Sequence, residues 1–191
     1  TENERLLDFS QSLSIRNLYF KYSVNDDYVL RNISFTIPRG KTVALVGESG
    51  SGKSTIIKLL AQLYLPNPGE ICLGNINLAT ISSETWRAHC GVITQESALL
   101  KDTISNNIVF GREYDRDKLL KAVSIANIRK EIETMTKGYD TMIGENGRGV
   151  SEGQKQRILF ARAIYNDPKY IFLDEQTSTL DSRNECNIIA S

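Results

Sequence analysis

The chain has 191 residues, of which 40% are hydrophobic and 24% are charged, and its formal net charge is zero. This composition is typical of a globular protein with one sizeable core, and the balanced charge argues against a nucleic-acid-binding surface. No apolar run approaches the roughly 20 residues that a membrane-spanning helix needs. Cys72, Cys90 and Cys186 are too few and too widely spaced for a disulfide framework or a zinc site, so we expect reduced thiols.

Before residue 47 the sequence predicts three strands. Alternating apolar residues predict strands at 13–20 and 29–37, with a polar turn between them at 23–27. The turn 38–41 leads into the apolar run 42–46, which predicts a short buried strand. Two antiparallel strands that precede a buried one favour a β-rich lobe beside an α/β core.

A glycine-rich loop follows the third strand and begins a helix. Gly47, Gly52, Lys53 and Ser54 satisfy the pattern G-x-x-x-x-G-K-[ST] of the phosphate-binding loop. In such a loop, backbone N–H groups at a helix N-terminus surround an anion, the lysine supplies a positive charge to the phosphates, and the hydroxyl ligates Mg²⁺. A plain strand-to-helix turn is the alternative, but the strand before and the helix after favour nucleotide binding. The residues expected to bind the phosphates are Ser49, Gly50, Ser51, Gly52, Lys53, Ser54 and Thr55.

After this loop the predicted elements are first a mixture of helices and strands and then mainly helices. The first helix is predicted to run to about Tyr64, where the Pro- and Gly-containing segment 66–69 stops it. Residues 70–78 predict a strand pair about Gly74, Ser82 caps a short helix, and residues 91–95 predict another strand. From 103 to 139 the apolar residues follow a helical period, which predicts a separate helical lobe.

The last predicted elements are a capped helix and a strand that ends in two carboxylates. Ser151 stands at the N-cap position of a helix predicted at about 152–165, and the apolar run 170–173 predicts a buried strand before Asp174 and Glu175. In phosphate-loop enzymes a carboxylate at such a strand end helps to hold Mg²⁺, and its neighbour is placed to polarise a water. The alternative is that the two carboxylates only cap the next turn. The presence of a phosphate loop in the same chain favours the functional interpretation.

Together these motifs resemble the nucleotide-binding domains of ATP-binding cassette (ABC) transporters, from about Leu13 to Asp181. Residues 150–154, followed by Lys-Gln-Arg, are similar to the L-S-G-G-Q signature of that family, and residues 94–96 to its Q-loop. Residues 178–181 are similar to its D-loop and residues 20–22 to its aromatic A-loop. Many NTPases share the phosphate loop, but its combination with this signature at this spacing is close to diagnostic.

The resemblance is strongest to domains of the exporter type. Residues 103–108 resemble the segment T-I-x-x-N-I that follows the Q-loop there, and residues 138–145 resemble the segment G-Y-x-T-x-x-G-E before the signature. The resemblance implies an ATP-binding and ATP-hydrolysing module of a membrane exporter, which dimerises around two Mg-ATP to drive translocation.

The resemblance also implies roles for residues that bind and hydrolyse the nucleotide. Tyr22 would stack on adenine, with Val29 nearby, and Lys53, Gln95 and Glu175 would be catalytic. The implied metal ligands are Ser54, Gln95 and Asp174. Without the resemblance, Tyr22 would be an ordinary strand aromatic and Gln95 a solvated polar group at a strand end.

A second group of residues would act on the nucleotide of a second copy. Ser151, Gly153, Gln154 and the N-terminus of their helix would contact the γ-phosphate bound to that copy. Asp181 would couple the two sites across the dimer. Without the resemblance, the signature segment would be a plain N-capped helix.

The implied fold is α/β, with a P-loop NTPase core, an N-terminal antiparallel β lobe, a helical signature-motif lobe and a truncated C-terminus. One cassette domain would span residues 1–191, with the β lobe and α/β core at about 12–100 and 156–191 and the helical lobe at 101–155. Its cofactors would be ATP and Mg²⁺. Its partners would be a second nucleotide-binding domain, in a homodimer, and a transmembrane domain fused N-terminally, with no nucleic acid. It would lie at the cytoplasmic face of the membrane within an integral membrane transporter.

The sequence departs from the family pattern at two places. Val150 and Glu152 replace the leucine and the first glycine of the signature, and a carboxylate there repels a γ-phosphate unless its side chain points away. The switch histidine of the family lies beyond the D-loop, whereas the only histidine here, His89, precedes the Q-loop strand and is interpreted as structural. We therefore expect weak or absent ATPase activity from this piece alone.

Two other functions remain open at this stage. A soluble ABC-type ATPase acting on DNA or ribosomes is the main alternative, although residues 53–151 contain no sustained heptads of the kind that build a long coiled coil. A nucleotide-regulated interaction module without turnover is the other. Glu175 argues against such a degenerate site, and the missing histidine leaves it possible.

Overall fold

The computed structural model describes residues 7–174. Within this range the chain divides between Ala88 and His89 into two compact units. The first unit contains the antiparallel sheet and the phosphate loop, and the second contains most of the helices.

The first unit is built on a four-stranded antiparallel sheet in the order β2-β1-β3-β4. Its strands are β1 (Leu13–Phe20), β2 (Leu30–Ile37), β3 (Glu70–Leu73) and β4 (Ile76–Asn77). Leu13 pairs with Ile37 on one side and with Leu73 on the other, so β1 lies between β2 and β3. The strands predicted at 13–20, 29–37 and 70–78 are confirmed, with boundaries that differ by no more than a residue.

Two helices complete the first unit. They are α1 (Lys53–Leu60) and α2 (Ser83–Arg87), and a 3₁₀ turn, Leu78–Thr80, lies between them. Trp86 of α2 is fully buried and its indole N–H donates to the Leu60 carbonyl at 2.8 Å, which joins the two helices. Ser82 caps α2 as predicted, because its hydroxyl accepts from the Thr85 N–H at 3.1 Å.

Helix α1 ends earlier than the predicted Tyr64. Gln62 has a φ of +50°, its N–H donates to Leu59, and the N–H of Leu63 donates to Lys58. This pair of bonds is a Schellman motif, in which a left-handed residue closes the helix and pairs its last carbonyls. The helix therefore ends before the proline segment that the sequence marks as its stop.

The strand predicted at 42–46 is wrong. Residues 41–48 have no regular secondary structure, and the Val46 side chain is 94% exposed. Among the described residues, none of the ladders includes this segment. Since a strand is defined by the backbone hydrogen bonds of a neighbour, apolar side chains alone do not form one.

The second unit combines two small sheets with four helices. Strands β5 (Cys90–Ile93) and β8 (Tyr170–Leu173) pair in parallel, and β6 (Asp102–Thr103) pairs antiparallel with β7 (Met142–Ile143). The helices are α3 (Ile104–Val109), α4 (Arg116–Ile125), α5 (Arg129–Thr134) and α6 (Glu152–Ile164). The helical content predicted for 103–139 is confirmed, and α6 begins at the predicted residue.

Strand β8 is less buried than its sequence predicts. Phe172 is buried, but Ile171 and Leu173 are each 36% exposed. The described residues pair β8 with β5 on one edge only, so its side chains lack the cover that a continuous apolar run in a parallel sheet normally receives.

Asn107 of α3 connects the loop before it to α6. It is fully buried, and its side-chain oxygen accepts from the Leu100 N–H at 2.8 Å and from the Arg162 guanidinium at 2.9 Å. Its amide nitrogen donates to the carbonyls of Leu100 and Thr103, both at 3.0 Å. The asparagine of the predicted T-I-x-x-N-I segment thus pairs polar groups that would otherwise be buried without partners.

Arg162 is held at this point by neutral groups. Its guanidinium donates to the carbonyls of Asn107 and Ala98, at 2.7 and 2.9 Å, and lies 4.1 Å from the centroid of the Phe110 ring. Burial, with a smaller contribution from the neighbouring Arg112, lowers the pKa of Arg162 to about 10. The side chain still carries its charge at neutral pH, stabilised by carbonyl dipoles and an aromatic face.

Two expectations from composition can be compared with the described residues. Cys72 and Cys90 are buried, and neither forms a disulfide bond within residues 7–174. Burial raises the pKa of the Cys72 thiol. No helix in residues 7–174 is both long enough and apolar enough to cross a membrane.

We expect Asn107→Ala to lower the free energy of unfolding by roughly 2–4 kcal/mol, because it leaves several buried donors and acceptors unpaired. Denaturant titration followed by circular dichroism measures this loss. Asn106→Ala is the matched control, since Asn106 is exposed and its side chain donates only to Asp102. Equal losses for the two variants would show that Asn107 is not a structural centre.

Candidate functional site

The phosphate loop has a backbone conformation that requires glycine. Gly50 and Gly52 have φ values of +80° and +91°, in the left-handed region, where a side chain is strained. A Cβ on Gly52 would also lie 2.5 Å from the Leu30 side chain. Gly52 is the N-cap of α1, which has no side-chain cap and no acidic residue in its first turn. The positive end of this helix therefore suits an anion.

Lys53 turns back over the loop. Its ammonium donates to the carbonyls of Gly47 and Glu48, both at 2.8 Å. Gly47 allows a close approach here, because a Cβ on it would lie 2.8 Å from the Ser51 hydroxyl. The loop and its lysine thus form one compact turn that places a positive charge beside the start of α1, where Ser54 follows.

The aromatic residue predicted to stack on a base is tied to the same helix. The Tyr22 hydroxyl lies 3.0 Å from the Thr55 hydroxyl, and the ring makes near-perpendicular contacts with Phe20 and Tyr64 at 4.9 and 5.3 Å. About half of the Tyr22 side chain remains exposed, at 47%. Val29 lies against the phosphate loop, 3.6 Å from where a Cβ on Gly52 would be.

The residues of the first unit fit a nucleotide with its phosphates. A fixed, half-exposed aromatic ring offers a stacking surface for a base, and the glycine loop and Lys53 offer donors and positive charge for the phosphates. The Tyr22–Thr55 contact connects the two parts. The structure therefore brings together Tyr22, Val29 and the predicted phosphate-loop residues.

Gln95 and Asp174 meet in the second unit at the carboxyl ends of β5 and β8. Ile93 pairs with Leu173, and the Asp174 N–H donates to the Ile93 carbonyl at 3.0 Å. Asp174 is buried, Gln95 is exposed, and both line one cavity. Carboxylate and amide oxygens are ligands that suit Mg²⁺, which usually retains waters and binds substrate phosphates as well. Ser54, the third predicted ligand, lies in the first unit, in the first turn of α1.

The signature segment forms the capped start of α6. The Ser151 hydroxyl accepts from the Gln154 N–H at 3.2 Å, and the Gln154 side-chain oxygen accepts from the Ser151 N–H at 2.9 Å. This reciprocal pair is a capping box. The predicted N-cap is confirmed, and Gln154 has a role in the cap that the sequence analysis did not assign, although the spacing S-x-x-Q signals it.

Glu152 has a partner on its own helix. Its carboxylate lies 3.7 Å from the Lys155 ammonium, one turn further along α6. Both side chains line the cavity that Gln95 and Asp174 share. The carboxylate that replaces a signature glycine is thus partly compensated by a neighbouring cation, and a negative group in the first turn also favours the helix.

Glu131 is a residue of the signature region that the sequence analysis missed. Its carboxylate accepts from the Gln154 side-chain amide at 3.0 Å and from the Arg157 guanidinium at 2.6 Å. The contacts cross 23 and 26 positions of the chain, so no local pattern signals them. Glu175 and Asp181, by contrast, are predicted site residues that lie outside the described range.

Comparison with known proteins identifies relatives over nearly the whole chain. The family model described as ABC transporter matches residues 30–178. The ATP-dependent lipid A-core flippase of Haemophilus ducreyi is 43% identical over 178 residues, which cover 92% of this chain and 31% of the flippase. ATP-binding cassette sub-family B member 6 of Xenopus tropicalis is 43% identical over 183 residues, 95% of this chain and 21% of that protein.

A solved structure agrees with these matches. A bacterial Atm1-family ABC exporter with ATP bound superposes with a TM-score of 0.84 at 38% sequence identity, over 94% of this chain and 32% of that chain. The chain thus spans about a third or less of the length of these relatives. The likeness concerns one part of each of them.

We expect Lys53→Ala to abolish the Mg-ATP binding that isothermal titration calorimetry measures, because a charge-assisted contact to phosphate is lost. Lys58→Ala removes the same charge from the last turn of the same helix and should bind ATP normally. Unchanged affinity in Lys53→Ala would refute the phosphate-loop assignment.

Proposed function

Because this chain belongs to the ABC transporter family and carries its ATP-binding module, we propose that it hydrolyses ATP to drive export by a membrane transporter. The observation that carries this proposal is the phosphate loop at the start of α1, with Gly50 and Gly52 in the left-handed region and Tyr22 tied to Thr55. Relatives named as an ATP-dependent flippase and an exporter with ATP bound support the coupling to export.

In this proposal the first unit binds the nucleotide. Tyr22 stacks on the adenine, and the half-exposed ring held by Phe20 and Tyr64 is suited to that contact, which is worth about 1–3 kcal/mol for base–aromatic stacking. Val29 packs beside the loop. The phosphates are bound by the backbone N–H groups of residues 49–55 and by the Lys53 ammonium, which exchanges its carbonyl partners for phosphate oxygens.

Two of the residues proposed to act in hydrolysis, Gln95 and Asp174, lie at strand ends of the second unit. Together with Ser54 of α1 they would hold Mg²⁺, and the ion would neutralise phosphate charge. Glu175 accepts a proton from the water that attacks the γ-phosphate, and Gln95 orients that water. Burial of Asp174 keeps one carboxylate fixed at the sheet edge.

We further propose that two copies enclose the nucleotides. Ser151, Gly153 and the N-terminus of α6 contact the γ-phosphate of the other copy, while Asp181 couples the two sites. The Ser151 hydroxyl accepts from Gln154, and no acceptor among the described residues takes its proton. That proton is therefore available for a phosphate oxygen. Pairing of Glu152 with Lys155 reduces the repulsion that an isolated carboxylate would exert.

The same proposal gives the chain its place in a larger assembly. Residues 1–191 form one cassette, in which the antiparallel sheet is a β lobe, residues 101–155 are a helical lobe, and the parallel strands belong to a P-loop NTPase core. We propose that a transmembrane domain is fused N-terminally, which is compatible with exporters and flippases of which this chain spans about a third. The cassette then lies at the cytoplasmic face of the membrane and pairs with a second cassette. None of the observations favours a soluble ATPase acting on DNA or ribosomes.

We expect Ser151→Arg to leave ATP affinity within about twofold and to lower kcat for ATP hydrolysis at least about a hundredfold, because a bulky cation blocks the contact in trans. ATP affinity and steady-state hydrolysis by the full-length protein provide the two measurements. The control is Ser82→Arg, which also replaces an N-cap serine, that of helix α2. It shows how much of any loss results from removing a helix cap alone. A large loss of ATP affinity in Ser151→Arg would contradict a role in trans.

We expect Glu175→Gln to bind ATP normally but to hydrolyse it at least about a hundred times more slowly, as the loss of a general base implies. ATP should then stay bound to the variant through gel filtration. Glu84→Gln, at an exposed position of α2, should behave like the unaltered protein. Normal turnover in Glu175→Gln would assign the general base to another residue, whereas a lack of turnover in the unaltered protein would support a site that binds ATP without hydrolysing it.

A further inference from the structure

A carboxylate on α5 binds two side chains of the signature helix. Glu131 accepts from Gln154 at 3.0 Å through one oxygen and from Arg157 at 2.6 Å through the other. The three side chains are partly buried rather than free in solvent, with 42% of Glu131 and 27% of Arg157 exposed. We name this arrangement of Glu131, Gln154 and Arg157 the α5–α6 clasp.

The clasp fixes which way the Gln154 amide points. An ionised carboxylate only accepts hydrogen bonds, so the amide nitrogen must face Glu131. The amide oxygen then faces the opposite way and accepts from the Ser151 N–H at 2.9 Å. Without Glu131 the amide is able to rotate, and the capping box loses the group that selects its orientation.

The clasp also determines charge at the start of α6. Glu131 would add an uncompensated negative charge beside the signature, but its ion pair with Arg157 neutralises it. Ile132, the next residue of α5, is fully buried and fixes this short helix in the core. The position of the Glu131 carboxylate is therefore fixed by the buried part of α5 and by its hydrogen bonds with Gln154 and Arg157.

We propose that Glu131 is a positioning residue for the trans contact, acting through Gln154 on the orientation of Ser151. The inference rests on the proposed function, because it assigns Glu131 to the step in which the signature meets the nucleotide of a second copy. Glu131 itself touches neither nucleotide nor metal in this role. Removal of the Glu131 carboxylate should leave ATP binding intact and slow ATP hydrolysis, because hydrolysis needs an ordered signature segment.

The test is Glu131→Ala in the full-length protein. We expect kcat for ATP hydrolysis to fall about tenfold, as the loss of a hydrogen bond to a charged group implies, while the affinity for ATP stays within about twofold. Calorimetric stoichiometry of ATP per chain gives the folded fraction separately, so a variant that merely unfolds is recognised by its lost sites. Glu131→Gln retains an oxygen that can accept from Gln154, and we expect it to recover most of kcat.

Two further variants make the result specific. Glu133→Ala removes another carboxylate of α5, whose partner is Arg129 on the exposed face, and should leave kcat unchanged. If Glu131 acts through Gln154, the double variant Glu131→Ala/Gln154→Ala should hydrolyse ATP no more slowly than Gln154→Ala alone. An additional tenfold loss in the double variant, or unchanged kcat in Glu131→Ala, would overturn the positioning role. If the unaltered protein does not hydrolyse ATP, the proposed function itself fails and the positioning role fails with it.

Discussion

The first backbone N–H groups of a helix have no carbonyl partners within that helix, and the candidate sites of this protein are built on this constraint. At α1 the N-cap is Gly52, which has no side chain to accept from those groups, and the first turn lacks an acidic residue. At α6 the Ser151 and Gln154 side chains form a complete capping box. One helix end is thus left for an anion from solution, whereas the other is preorganised and presents a serine hydroxyl.

Charge near these helix ends is compensated locally. Glu152 pairs with Lys155, and Glu131 pairs with Arg157, so the acidic side chains near the start of α6 have cationic neighbours within 4 Å. An unpaired carboxylate beside a bound triphosphate would repel it strongly. Two unit charges about 4 Å apart interact by about 4 kcal/mol at an effective dielectric constant of 20. Because exposed ion pairs add little to stability, we expect these two pairs to act mainly by limiting the repulsion of phosphate in the proposed dimer.

Local sequence signals predicted much of the fold and most of the candidate site. The alternation at 13–20 and 29–37, the serine caps of α2 and α6 and the glycines of the phosphate loop each express a steric or hydrogen-bonding rule that acts within a few residues. Gly52 is an example, because a positive φ and a 2.5 Å approach to Leu30 both exclude a Cβ. The sequence placed Gln95 and Asp174 each at the end of a strand, and the structure adds that these two strands pair in parallel, so that both residues lie at one sheet edge.

What the sequence did not predict depends on partners that are distant in the chain. The run 42–46 has the composition of a buried strand, yet it lacks a ladder within the described residues, because backbone pairing is a property of two segments and not of one. Glu131 is the converse case: its sequence neighbours give no hint, and only the packing of α5 beside α6 brings its carboxylate to Gln154 and Arg157. A sequence motif does not identify a residue that acts by orienting another residue, because the contact between them forms only when distant segments of the chain pack together.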